Sequence, residues 1–151
     1  MSDLPARVGV LGGGRMGAGI AHAFLVAGSS VAVVELDREQ ADTARARVTA
    51  AARASIDRGS TGESLAAMTD RLEVGTDDAV FDECELVIEA VPEDAALKLV
   101  VLQRVEKVAP DAVLATNTSS LSIDSIPAGL KAPERFIGLH FFNPVPATYL
   151  V

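Results

Sequence analysis

The sequence predicts an α/β fold built on a doubly wound, mostly parallel sheet. Three observations carry this reading. Short β-rich runs alternate with segments of helical period, a glycine-rich turn joins the first run to the first helix, and polar residues stand abruptly at the ends of later apolar runs.

Arg7 to Leu11 is a β-rich run, and the turn Gly12-Gly13-Gly14-Arg15-Met16-Gly17 leads into a helix expected over Ala18 to Ala27, ending at Gly28. Ser30 to Val34 supplies a second strand. Ala41, Ala44, Val48, Ala51, Ser55 and Ile56 then recur at helical spacing, so a helix is expected to about Arg58, where Gly59 to Gly62 breaks it. A shorter helix over Glu63 to Arg71 completes a helical hairpin expected to project from the sheet. Leu72 to Gly75 reads as a short strand, and Leu86 to Val91 as an apolar strand covered on both faces and stopped by Pro92. Asp94 is placed to cap the next helix, in which Leu97, Val101, Val105 and Val108 form the expected buried stripe. Ala112 to Ala115 is a further buried strand, left by the polar loop Thr116 to Ser120. Arg135 to Leu139 reads as the last strand, because the prolines at 144 and 146 remove backbone donors beyond it.

A chain of 151 residues with 49% apolar content fits one domain, residues 1–151, with a sizeable core. The net charge of −8 gives no electrostatic footprint for nucleic acid or an anionic membrane, so neither is expected as a partner. Cys84 is the lone cysteine and reads as a small buried hydrophobe. No internal disulfide can form, and the absence of a signal-peptide pattern or membrane-length apolar run makes a cytoplasmic location the expectation.

The glycine turn satisfies G-x-G-x-x-G through Gly12, Gly14 and Gly17. The first glycine permits a tight turn, the second lets the backbone approach a pyrophosphate, and the third allows close helix packing. The helix it opens offers unpaired amides to phosphate. Glu35 closes the second strand 18 residues after Gly17, where a carboxylate can accept hydrogen bonds from a ribose diol and repel an added phosphate. These features point to NAD rather than NADP. Asp37 is the alternative ribose partner, or the cap of the next helix.

Two polar groups end later strands: Asn117, Ser119 and Ser120 after one, His140 and Asn143 after another. Carboxyl ends of parallel strands are where ligands bind in such sheets, so convergence on one cleft is expected. A neutral imidazole there can accept the proton of a substrate alcohol while hydride leaves the adjacent carbon.

These motifs, together with Val87 to Glu93, Lys98, Asn117 to Leu121 and Gly138 to Pro146, resemble the NAD-binding Rossmann-type domain of the L-3-hydroxyacyl-CoA dehydrogenases, including 3-hydroxybutyryl-CoA dehydrogenase. The resemblance runs in order along nearly the whole chain. It implies oxidation of the 3-hydroxyl of an acyl-CoA thioester, with NAD as hydride acceptor. It implies His140 as general base, Ser119 as the hydroxyl orienting the substrate oxygen, and Asn143 as an amide near nicotinamide and substrate. Glu93 and Lys98 match contacts to the nicotinamide half, with helix-terminal electrostatics and a solvated position as their alternatives. In the hairpin, Arg58 stands as the basic contact to coenzyme A, while Ala51 occupies the place of a hydroxyl. His22 matches no site and is expected to be structural or exposed.

After Pro146 the family commonly carries a glutamate that orients the catalytic histidine, and then a helical domain that closes over substrate and forms most of a homodimer contact. Neither lies within the 151 residues. The chain is therefore expected to be a truncated form whose parent carries the activity, itself binding NAD with little turnover. A carrier-protein thioester in place of acyl-CoA, and a non-catalytic NAD-binding module, are the alternatives.

Overall fold

The structure is a computed structural model that describes residues 3–118 and 123–142. Its strands β1 (Arg7–Leu11), β2 (Ser30–Val34), β3 (Leu72–Gly75), β4 (Leu86–Glu89), β5 (Val113–Thr116) and β6 (Phe136–Gly138) form one sheet in the order β3-β2-β1-β4-β5-β6. Every pairing is parallel. The chain winds outward from β1 to β3, returns to β4 on the other side of β1, and winds outward again. The β1–β4 seam is thus the point where the winding reverses, the place such sheets open a crevice at their carboxyl edge.

Residues alternate between the faces. Val31 and Val33 pack into one core with Ile20, Leu25, Val48 and Met68, whereas Ala32 and Val34 join a second core with Phe81, Leu102 and Val105. The first core is covered by α1 (Arg15–Val26), α2 (Arg38–Asp57) and α3 (Leu65–Asp70), the second by α4 (Ala95–Val108) and the short 3₁₀ turns. This two-sided burial is why the strands read as continuous apolar runs.

Local chemistry sets the helix starts. Asp37, Ser64 and Asp94 each accept a backbone amide of the following first turn, at 2.8, 3.1 and 2.9 Å. Asp37 is thereby the cap of α2. By contrast α1 has no side-chain cap and begins at Arg15, three residues before the expected start, because the glycine turn is tight enough to pass directly into the helix.

Several expectations are corrected. The helical hairpin does not stand clear of the sheet: α2 buries Ala41, Ala44, Val48, Ala52 and Ser55 along its length, and Met68 of α3 is fully enclosed. Arg71 fastens the end of the hairpin to α1, donating to the carbonyls of Leu25 (3.1 Å) and Ser29 (2.7 Å). In α4 the inward face carries Lys98, Val101, Leu102, Val105 and Glu106, while Leu97 is 39% exposed. Val101 and Val105 of the expected stripe are buried and Val108 packs against the same core, so the departures are Leu97, which is turned outward, and two charged residues that hold inward positions because each has partners there. Thr116 is the last residue of β5 rather than the first of a loop, and β4 and β6 stop short of their expected ends.

Candidate functional site

The site forms where the carboxyl ends of β1, β2, β4 and β5 meet the start of α1. Gly12 has φ of +95°, a conformation that side chains rarely adopt. Gly17 is required for a different reason: a Cβ there would lie 1.7 Å from the Gly12 carbonyl oxygen. Gly14 has open space where its Cβ would stand, so the backbone at the N-cap of α1 can be approached closely by a ligand. That helix start carries neither a side-chain cap nor an acidic first turn, leaving its amides and positive dipole end for an anion.

A cleft of ≈ 690 Å³ runs over this turn, and Gly12, Gly14, Arg15, Met16, Glu35 and Leu97 are among its lining residues. Glu35 is anchored to the turn, its Oε1 accepting the Gly13 amide at 2.5 Å and its Oε2 the Leu36 amide at 3.2 Å. Arg47, which sequence reasoning passed over, donates to the Gly13 carbonyl at 3.2 Å from α2 and lines a neighbouring recess with Gly14 and Glu35. Helical periodicity gives no sign that a solvent-side arginine will reach a turn so far back in the chain.

A second recess, of ≈ 320 Å³, shares Met16, Ala90 and Val91 with the first and is also lined by Glu93, Asn117, His140 and Phe142. His140 is held through its neighbours. The Leu139 amide donates to the Thr116 carbonyl at 3.0 Å, and the Phe141 amide to Asn117 Oδ1 at 2.9 Å. Phe141 packs against the core, edge-on to Phe24 at 6.4 Å between centroids, and lines the recess together with His140 and Phe142. The His140 and Phe142 rings stand edge to face at 4.7 Å.

Lys98 is fully buried, which rules out the solvated alternative. Its Nζ donates to Glu89 Oε1 at 2.6 Å and to the Val91 carbonyl at 3.2 Å, and it stands 3.5 Å from Glu93 Oε1. Thr118 Oγ1 donates to Glu93 Oε1 at 2.6 Å. Ser119 and Asn143 lie outside the described residues. Arg58 is not among the cleft-lining residues: it is an exposed residue at the C-cap of α2, donating to Ser55 Oγ at 3.2 Å. Because α2 runs back against the direction of the strands, its end lies away from the edge that carries His140.

His22 is buried, with Nε2 2.8 Å from Ser55 Oγ and Nδ1 without a hydrogen-bond partner. Burial, helped by the Arg58 charge, holds its pKa below the usual histidine value. The Cys84 thiol is buried and its pKa is pushed up to about 11, chiefly by desolvation, as suits an inert core residue. Among the described residues no cluster of His, Cys, Asp and Glu is arranged to hold a metal ion, and no helix is long and apolar enough to cross a membrane.

An uncapped helix start behind an unobstructed glycine, a carboxylate at the end of β2, and a cleft across the winding reversal together fit a dinucleotide. The class this defines is a Rossmann-type, dinucleotide-binding domain. The chain belongs to the family described as 3-hydroxyacyl-CoA dehydrogenase, NAD binding domain, whose model matches residues 7–151, and its cofactor is NAD. It is 41% identical over 158 aligned positions to a 3-hydroxybutyryl-CoA dehydrogenase of Mycobacterium tuberculosis, covering 100% of this chain and 54% of that protein. FadB2 of M. tuberculosis superimposes with a TM-score of 0.89 at 40% identity, over 96% of this chain and 52% of the other. The (S)-3-hydroxybutyryl-CoA dehydrogenase PaaH1 of Ralstonia eutropha does so with a TM-score of 0.88 at 33% identity, over 96% and 52%. The chain thus spans about half the length of the relatives it matches.

Proposed function

We propose that the protein takes part in the NAD-dependent oxidation of an L-3-hydroxyacyl-CoA, with short-chain 3-hydroxybutyryl-CoA the favoured substrate, and that this chain supplies the cofactor site and the catalytic base. The observation that carries the reading is the placement of His140 in a recess continuous with the dinucleotide cleft. The names of the similar enzymes support the substrate class.

Bound NAD supplies a hydride acceptor. Gly14 and the start of α1 would hold the diphosphate, and Glu35 would accept from the adenosine ribose. The nicotinamide end would then lie toward Met16, Ala90 and His140. When the C3–H bond gives up its hydride, the imidazole of His140 takes the hydroxyl proton, and the C–O single bond becomes the ketone. Ser119 and Asn143 are proposed to orient the substrate oxygen and the nicotinamide. Phe142 and Met16 line the same recess. In a parent protein of the relatives' length, the remaining portion would complete the substrate side and pair two copies as a homodimer. A cytoplasmic location belongs to the same proposal.

The test is NADH formation from 3-hydroxybutyryl-CoA and from the matching carrier-protein thioester. The reading expects the CoA thioester to be turned over faster. Preference for the carrier-protein thioester would replace the substrate, and NADH binding without turnover of either by the parent would replace the catalytic reading.

A further inference from the structure

A buried carboxylate beneath the cleft is one that the dinucleotide reading does not use. Glu89, the last residue of β4, is fully buried, and both its oxygens are engaged. Oε1 accepts from Lys98 Nζ at 2.6 Å and from the Val91 amide at 2.8 Å, and Oε2 accepts from Thr116 Oγ1 at 2.5 Å. One carboxylate therefore ties β4, β5, α4 and the loop after β4 together at the carboxyl edge of the sheet. Lys98, so held, faces Glu93, and Glu93 lines the recess that contains His140.

We propose that Glu89 is a positioning residue for the nicotinamide end of the cofactor. It acts through Lys98 to hold the Glu93 carboxylate at the wall of the recess. The inference rests on the reading that the nicotinamide end occupies that recess. Glu89, Lys98 and Glu93 carry formal charges of −1, +1 and −1, so the trio presents a net −1 beneath the ligand. The oxidised nicotinamide ring is a cation, the reduced ring is neutral, and a negative site favours the former. Replacing Glu89 by glutamine keeps the shape but leaves Glu93 as the one charged partner of Lys98 among the described residues, beside the neutral Val91 carbonyl. The ammonium then draws that carboxylate inward, and the recess loses its negative character.

The experiment compares NAD⁺, NADH and ADP-ribose binding to the intact protein and to its Glu89→Gln variant, with ADP-ribose as the probe that lacks nicotinamide. Glu89→Gln is expected to weaken NAD⁺ about tenfold, the scale of one lost charged hydrogen bond, to weaken NADH less, and to leave ADP-ribose unchanged. The effect should vanish when Glu89→Gln is added to Glu93→Gln, since the two act in series. Glu89→Gln combined with Lys98→Met removes the stranded ammonium and leaves Glu93 its negative charge, so the double variant should keep the preference for NAD⁺ over NADH and serves where Glu89→Gln alone does not fold; loss of that preference in it would overturn the proposal. Equal weakening of all three ligands, or an undiminished effect in the Glu93→Gln background, would assign Glu89 a merely structural role and overturn the proposal. If the unaltered protein bound NADH no more tightly than ADP-ribose, the nicotinamide would have no site of its own and its placement would fail first. If it bound none of the three, the cofactor site itself would fail, and in either case the positioning role falls with it.

Discussion

The glycine turn and the His140 recess lie side by side at the same sheet edge yet are built by opposite means. The turn is made by absence: no Cβ at Gly12, Gly14 or Gly17, and no side-chain cap on α1. The recess is made by side chains, through a buried carboxylate, a buried ammonium, two threonines and an asparagine that bonds the segment carrying the histidine. A backbone-built site is rigid and intolerant of added atoms. A site built of buried polar groups depends on every partner remaining in place.

That contrast can be broken in a graded series, beginning with the histidine. His140→Gln should lower turnover by about 10²- to 10⁴-fold, the usual contribution of a general base, while NADH binding changes little. Steady-state kinetics beside a fluorescence titration read both. Next comes the charge pair. Lys98→Met leaves Glu89 buried without its counter-ion and should cost about 3–5 kcal/mol in urea unfolding, whereas a comparable cut at the exposed Arg135–Asp111 pair should cost less than about 1 kcal/mol.

The glycines sharpen the comparison further. Gly17→Ala forces a Cβ into the Gly12 carbonyl and should destabilise the fold by about 3 kcal/mol, the upper range for overpacking. Gly14→Ala has room for its methyl group and should unfold normally while losing cofactor affinity. Equal unfolding midpoints for the two variants would show that the turn is not packed as described.

The smallest effect concerns pH. His22 has a folded-state pKa below its unfolded value, so the unfolded chain binds the extra proton more readily. Stability is therefore full above the ordinary histidine pKa and is lost as pH falls below it toward the depressed value. His22→Gln should flatten that part of the stability curve. An unchanged slope in the variant would assign the acid sensitivity to other groups.

Much of the backbone-built half was legible in the sequence. The bounds of β1, β2 and β3, the cap at Asp37 and the place of Glu35 follow from β-rich runs, turn residues and spacing, all local signals. The recess was legible only in part. His140 stood out because the strand ends nearby, but Glu89 sat unnoticed inside an apolar run, and Lys98 could be read as a solvated helix residue. Their partnership joins β4 to α4 across the interior, and hydrophobic periodicity carries no information about such a pairing. The same blindness placed Leu97 inside and missed Glu106, whose carboxylate accepts the amides of Lys131 (3.0 Å) and Ala132 (2.7 Å). Arg58, expected as a coenzyme A contact from the hairpin, stands exposed at the C-cap of α2, outside the residues that line the dinucleotide cleft.

The central claim is that one bound dinucleotide spans both regions, and a crystal structure of the protein with NADH tests it most directly. The account predicts the diphosphate over Gly14 and the first amides of α1, and the nicotinamide ring in the recess beside His140 and Glu93. A nicotinamide bound elsewhere, with the His140 recess filled by side chains, would contradict it.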